Sequence, residues 1–261
     1  EEHPLGEKVW FEGTADAIRK NLTILERSQA DYFLILSGDQ LYNINFEKML
    51  SFAIKKDAEL TIAAIPVEPK EAKRLGIVQI DPEASVVNFH EKPDNPALLK
   101  QLVIPPFLYN TCEVATKDPQ LLASMGIYIF KRDRLFQLLR EDTREDFGKH
   151  LIPNEIKRQR TYAYIYNGYW EDIGTIKSFY DANLELVHMR AKLDTRNEDK
   201  PIFSKPMYLA GPIVKNSYIH NSILSDGAII EAKEISNSII GPRVHIKKGS
   251  VIRDSIIIGS H

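Results

Sequence analysis

The chain has 261 residues, 43% of them apolar, enough for one large domain or two unequal ones. A formal net charge of −2, with both signs mixed, leaves no electrostatic footprint for nucleic acid or a membrane surface. Cys112 is the single cysteine, so no intrachain disulfide can form. No apolar run reaches the roughly 18 residues of a membrane span, and the acidic, polar start carries no signal-peptide pattern, so a cytoplasmic protein is expected.

In chain order, Ile18, Leu22 and Leu25 recur at helical spacing. Asp31-Tyr-Phe-Leu-Ile-Leu36 reads as a buried strand over Tyr32 to Leu36. Phe46 to Ile54 reads as a helix and Leu60 to Val67 as a strand. Ile77 to Ile80 and Val86 to Phe89 read as paired strands across Asp81-Pro82-Glu83. Asn95 to Asp118, rich in proline, leucine and polar residues, reads as a surface excursion. Met125 to Phe130 and Tyr164 to Tyr166 read as strands, Leu135 to Leu139 as the start of a helix, and Ile176, Phe179, Tyr180 and Leu184 as one face of another. Alternating strands and helices predict an α/β domain with a largely parallel, Rossmann-like sheet.

From Lys192 to Pro206 the pattern dissolves into charges and prolines, a linker signature. Beyond it, aliphatic residues recur every five or six positions: Ile213, Ile219, Leu224, Ile229 or Ile230, Ile235, Ile240, Val244 or Ile246, Val251 and Ile257. Asn, Ser, Asp, Gly and Pro stand between them. A β-meander would need period-two alternation, which is weak here; the short repeat predicts a parallel β-helix with one inward aliphatic per side. The expected domains are 1–191, a linker at 192–208, and the start of a β-helix at 209–261. The pattern runs to His261 without the atypical cap that closes a solenoid.

Four places carry candidate chemistry. In Ser37-Gly-Asp39, an acid follows the end of an apolar strand, where open α/β sheets bind ligands. Asp39 suits Mg²⁺, a cation that takes hard oxygen donors and keeps phosphate and water as further ligands; it equally suits a cap on the next element. Gly168-Tyr-Trp-Glu-Asp-Ile-Gly-Thr175 puts Asp172 after a strand and Thr175 at a helix start, so Asp39 and Asp172 could share a metal, or Asp172 could simply face a helix dipole. Glu91-Lys92-Pro93 ends a strand, with a lysine fit for phosphate and a glutamate fit for sugar hydroxyls; an exposed ion pair is the plainer reading. Gly13-Thr14-Ala15-Asp16 is a small-residue turn into a helix, with Thr14 or Asp16 as its cap and room for a flat base against the backbone.

Taken in this order, the motifs resemble those of the sugar-1-phosphate nucleotidyltransferases, and within that family the glucose-1-phosphate adenylyltransferase (ADP-glucose pyrophosphorylase) branch. The resemblance is carried by Trp10-Phe-Glu-Gly-Thr-Ala-Asp-Ala17, Ser37-Gly-Asp-Gln-Leu-Tyr42, Arg74-Leu-Gly-Ile-Val78, Glu91-Lys-Pro93, Ser124-Met-Gly-Ile-Tyr-Ile-Phe130, Asp146-Phe-Gly-Lys149 and Tyr169-Trp-Glu-Asp-Ile-Gly-Thr175. It implies a left-handed parallel β-helix after the catalytic domain. It implies Asp39 and Asp172 as Mg²⁺ ligands, Asp39, Asp172 and Lys92 as catalytic residues, and Lys92 holding the phosphate of glucose 1-phosphate, with Asp172 also meeting substrate. Gly76, Glu91, Ser124 and Trp170 would line the sugar site, and Gly13, Thr14 and Ala15 the base side. The implied reaction joins ATP and glucose 1-phosphate to give ADP-glucose and pyrophosphate, for glycogen or starch-type glucan synthesis. An allosteric homo-oligomer, a tetramer in the full-length family, is implied too. Gln40 stands where many relatives have histidine. The family's Gly-Gly-x-Gly-Thr-Arg-Leu loop, which holds the triphosphate, does not occur in this sequence. The expectation is therefore a catalytic domain lacking its first βα unit and inactive alone. Alternatives are a relative using another base or sugar, and a non-catalytic regulatory homologue.

Overall fold

The computed structural model describes residues 10–114, 116, 118–158, 160–188, 193, 195, 202 and 206–259. The expected linker lies mostly outside them. In chain order the elements are α1 (Thr14–Arg19), α2 (Leu22–Glu26), β1 (Tyr32–Ile35), β2 (Gln40–Tyr42), α3 (Phe46–Lys55), β3 (Leu60–Val67), β4 (Gly76–Ile80), β5 (Val86–Glu91), α4 (Pro96–Gln101), β6 (Leu121–Lys131), α5 (Arg132–Glu141), α6 (Ile152–Ile156), β7 (Thr161–Ile165), β8 (Trp170–Asp172) and α7 (Ile176–Val187), followed by nine short strands. The chain divides into two compact units, Glu1–Gly38 with Ile44–Gly168 and Asp39–Asn43 with Tyr169–His261.

The first unit is built on one six-stranded sheet in the order β5-β4-β6-β3-β7, with β1 also on β6. Of its pairings only β3–β7 is parallel; β1–β6, β3–β6, β4–β6 and β4–β5 are antiparallel. The expectation of a largely parallel sheet is thus corrected: alternation of helices and strands does not fix strand direction, and β6 runs against all three of its neighbours. β3 and β6 are nearly continuous in apolar residues because both faces of the sheet are covered. Phe130 and Phe147 stack at 5.7 Å between ring centroids, with Tyr128 6.1 Å from Phe147.

Several other expectations need correction. The helical spacing from Ile18 to Leu25 belongs to two short helices, because Asn21 interrupts the helix and turns its side chain back onto the Ala17 carbonyl. β1 is only half-buried, with Leu34 and Leu36 exposed. α5 starts at Arg132, earlier than its apolar spacing suggests. The stretch Asn95 to Asp118 is no simple surface excursion. Asn95 caps α4 by accepting from the Ala97 N–H at 2.9 Å, and Leu102, Ile104, Leu108 and Cys112 enter the core.

The second unit holds an antiparallel ribbon of β2 and β8, helix α7, and three parallel three-stranded sheets. β9 (Ile213–Val214), β12 (Ile229–Ile230) and β15 (His245–Ile246) form one face. β10 (Tyr218–His220), β13 (Glu234–Ser236) and β16 (Val251–Arg253) form the second, and β11 (Ile223–Leu224), β14 (Ile239–Ile240) and β17 (Ile256–Ile257) the third. Ile223 faces Ile239, which faces Ile256, so one coil takes sixteen or seventeen residues over three sides. That is the origin of the five-to-six-residue period. Ile230, Ile235, Ile240 and Ile246 fill the interior with Ala228 and Ala232; Ile252 packs against them where Val251, half-exposed, was expected. Asn216, Asn221, Asn237 and Asp254 turn corners with φ of 48, 44, 45 and 47°, a conformation Asn and Asp tolerate best among side-chain-bearing residues. Beside these corners Ser222, Ser238 and Ser255 form a ladder: the Ser238 N–H donates to Ser222 Oγ at 3.1 Å, and the Ser255 N–H to Ser238 Oγ at 3.2 Å. Tyr180 on α7 donates its hydroxyl to the Asn237 carbonyl at 2.6 Å, docking α7 on the coils.

Candidate active site

In the second unit, Asp39 precedes β2 and Asp172 ends β8. Antiparallel pairing sets Gln40 opposite Asp172 and Tyr42 opposite Trp170, and the Ile173 N–H donates to the Asp39 carbonyl at 3.0 Å. The Gly174 N–H donates to Asp172 Oδ1 at 3.0 Å. A Cβ placed on Gly174 would lie 3.1 Å from Asp172 Oδ1 and 3.3 Å from Asp39 Oδ2, so the two carboxylates border one point over this glycine. Thr175 caps α7 in a reciprocal box with Ser178, each side chain meeting the other's backbone N–H. The helix N-terminus thus opens next to the two acids, where its dipole favours negative charge. On the same ribbon, Trp170 Nε1 and Gln40 Oε1 are buried with no hydrogen-bond partner among the described residues. Burial first, then Glu171 and Glu185, push the Tyr169 hydroxyl up to about 12, which keeps it a neutral donor.

Of the residues expected on the sugar side, the first unit holds Gly76, Glu91, Lys92 and Ser124, while Trp170 belongs to the second. Gly76 pairs with Glu91 across β4 and β5. Its missing side chain is replaced by the Phe89 ring, whose Cζ would stand 2.3 Å from a Cβ there, so Gly76 makes room for that ring. Lys92 sits at φ 46°, uncommon for a residue before proline, and its N–H donates to the Leu75 carbonyl at 3.1 Å. Its Nζ stands 3.6 Å from Glu91 Oε1. Burial raises the Glu91 carboxyl above its ordinary range; Lys92 opposes this, and the nearby Asp146 carboxylate adds to it. Ser124 is buried on β6, its Oγ accepting from the Gly126 N–H at 3.3 Å. Tyr128 on the same strand is pushed up to about 12 by burial, against a hydrogen bond with Ser124, and Glu91 and Asp146 push it further.

The turn into α1 meets the same neighbourhood. The Ala15 N–H donates to the Glu145 carbonyl at 2.8 Å and the Phe147 N–H to Thr14 Oγ1 at 3.3 Å. A Cβ on Gly13 would lie 2.5 Å from the Glu145 carbonyl oxygen, a backbone approach that only glycine permits. Neither Thr14 nor Asp16 caps α1, contrary to expectation: Thr14 serves Phe147, and Asp16 accepts from the Glu12 N–H at 3.0 Å.

Glu145 to Lys149 therefore ties Gly13–Ala15 to Glu91. Asp146 caps a π-helical turn, Phe147–Leu151, by accepting from the Lys149 N–H at 2.9 Å, and Phe147 anchors that turn in the core. π turns recur at functional sites. The sequence displays Asp146-Phe-Gly-Lys149 without assigning it a role, and nothing in its spacing says that it folds against Glu91. Tyr128 was likewise hidden, an aromatic in an apolar strand.

Two family models match the chain. The nucleotidyl transferase family model matches residues 2–188, and that of the GLGC left-handed parallel beta-helix domain matches residues 207–261. The chain is similar to the glucose-1-phosphate adenylyltransferase large subunit 1, chloroplastic/amyloplastic, of Zea mays, with 37% identity over 99% of this chain and 51% of that protein. It thus spans about half the length of that curated relative. With the family model covering most of its length, the chain belongs to the nucleotidyl transferase family.

Proposed function

We propose that the protein is a glucose-1-phosphate adenylyltransferase, making ADP-glucose and pyrophosphate from ATP and glucose 1-phosphate to supply a glucosyl donor for glucan synthesis. The observation that carries the reading is the pair of ribbon carboxylates, Asp39 and Asp172, bordering one point at Gly174. Among the described residues no three His, Cys, Asp or Glu side chains cluster as a metal site. Two hard oxygen donors at one point still fit Mg²⁺, which commonly takes one or two carboxylates and completes its shell with phosphate oxygens and water. Asp39 and Asp172 would hold it, and when bound it supplies charge neutralisation for the nucleotide phosphates.

The protein's own groups do the rest by positioning. Lys92, set in its left-handed turn, faces the phosphate of glucose 1-phosphate as a point charge. Glu91 accepts from sugar hydroxyls, with Ser124 and Gly76 in the same role of lining the sugar. Gly13, Thr14 and Ala15 present backbone to the base. A phosphate oxygen of the sugar phosphate attacks the α-phosphorus in line as the bond to pyrophosphate breaks, and no covalent enzyme intermediate is needed. The β-helix supports assembly into a homo-oligomer, a tetramer on this reading, open to allosteric control. No helix of the described residues is long and apolar enough to cross a membrane.

A panel assay of the whole protein tests this. Four nucleoside triphosphates are each supplied with glucose 1-phosphate and Mg²⁺, and pyrophosphate is measured. The reading expects release with ATP well above the others. Preference for another base, or release with another sugar phosphate instead, assigns the protein elsewhere in the family.

A further inference from the structure

We propose that Gly148 sets the sugar specificity of this site by leaving space for the Glu91 carboxylate, an inference that rests on the assignment of Glu91 to the sugar. A Cβ on Gly148 would lie 2.7 Å from Glu91 Oε2, 3.3 Å from Glu91 Cδ and 3.5 Å from Asp146 Oδ1. The first distance is shorter than any Cβ tolerates. Gly148 is not among the residues with positive φ, so its backbone is open to any amino acid. The glycine is therefore not demanded by conformation; what it provides is room.

That room is filled by one group. The Glu91 carboxylate lies against the π turn, and its Oε1 is 3.6 Å from Lys92 Nζ. Asp146, which caps the turn, stands close enough to add to the rise in the Glu91 pKa. The direction in which Glu91 offers its oxygens is thus set by Gly148, Asp146 and Lys92 together. A side chain at position 148 would displace the far end of a flexible glutamate and leave the fold in place. Gly148 is a positioning residue: it acts on the sugar through Glu91.

The test is a double-mutant cycle in the whole protein with Gly148→Ala and Glu91→Ala, read by steady-state kinetics and thermal melting. Gly148→Ala is expected to raise the KM for glucose 1-phosphate about tenfold, the scale of one misplaced charge-assisted hydrogen bond. It should leave the KM for ATP and the melting temperature unchanged. The ratio of kcat/KM for glucose 1-phosphate over its galactose and mannose epimers should fall. In the Glu91→Ala background, Gly148→Ala should add nothing. Wild-type kinetics for Gly148→Ala would overturn the inference and leave the assigned activity intact. So would equal rises in both KM values with a lowered melting temperature, or additive losses in the cycle. Wild-type protein that uses none of the three sugar phosphates would instead remove the functional reading on which the inference stands.

Discussion

Lys92 and Glu91 are neighbours of opposite charge. Lys92 combines a strained backbone with a charged tip beside a carboxylate, the form expected of a group held for a ligand rather than for the fold. Lys92→Gln should raise the KM for glucose 1-phosphate by about tenfold to a hundredfold, since a hydrogen bond to a charged group is worth about 1.5–3 kcal/mol. The KM for ATP should stay within about twofold; an equal rise for both substrates would show that Lys92 does not hold the sugar phosphate. Glu91 predicts a trade between stability and function. Burial raises its folded pKa above the ordinary 4.5, so folding makes this carboxyl harder to ionise. Its contribution to stability is full below the unfolded pKa and is lost as pH rises through the folded one. Glu91→Gln should therefore melt higher than wild type at pH 7, equal it near pH 4, and bind glucose 1-phosphate more weakly at pH 7. A variant that melts lower at pH 7 would mean that Glu91 is a structural ion-pair partner.

Elements were legible to different degrees. Leu60–Val67 is a strand in the sequence and in the structure, because eight residues without a charge between turn signals leave little else for it to be. The β-helix was legible because three sides and a tight coil impose a period that no helix or meander shares. Sheet direction was not legible, since periodicity reports burial and not orientation. The segment around Leu102, Ile104, Leu108 and Cys112 was misjudged because its apolar residues follow prolines and no regular spacing. Of the candidate site, Asp39 and Asp172 stood out in the sequence as acids following strands, but the β2–β8 ribbon that carries them did not, and the meeting of Gly148 with Glu91 depends on a contact that local sequence does not encode. One further contact of this kind holds α5 to α6: Arg134 and Glu155, both buried, form a bidentate pair with Nε–Oε2 at 2.6 Å. Removing one partner strands the other charge in the core. Glu155→Ala should cost about 3–5 kcal/mol in urea unfolding, whereas replacing both residues with apolar ones of similar volume should cost far less. A loss below about 1 kcal/mol for the single variant would show that Arg134 finds water or Glu141 instead.

At the scale of the whole molecule, the two compact units divide the candidate residues. Glu91, Lys92, Ser124 and the turn at Gly148 belong to the first, and Asp39, Trp170 and Asp172 belong to the second with α7 and the coils. In the second unit, Tyr180 and the serine ladder run from α7 into the β-helix, and Ser238, fully buried, is their midpoint. Ser238→Ala leaves the Ser255 N–H without its acceptor and should cost about 1–3 kcal/mol of stability; an unchanged denaturation midpoint would mean that water replaces the hydroxyl. The central claim concerns the ribbon of that unit: Asp39 and Asp172 act together on the nucleotide phosphates. It is tested most directly by pyrophosphate release from ATP and glucose 1-phosphate with Mg²⁺, comparing wild type, Asp39→Asn, Asp172→Asn and the double variant. Removing either half of a shared site removes most of what the pair does, so each single variant should lose at least about a hundredfold in kcat, and the double variant little more. Either single variant turning over at the wild-type rate, or the two losses simply multiplying, would contradict a shared site.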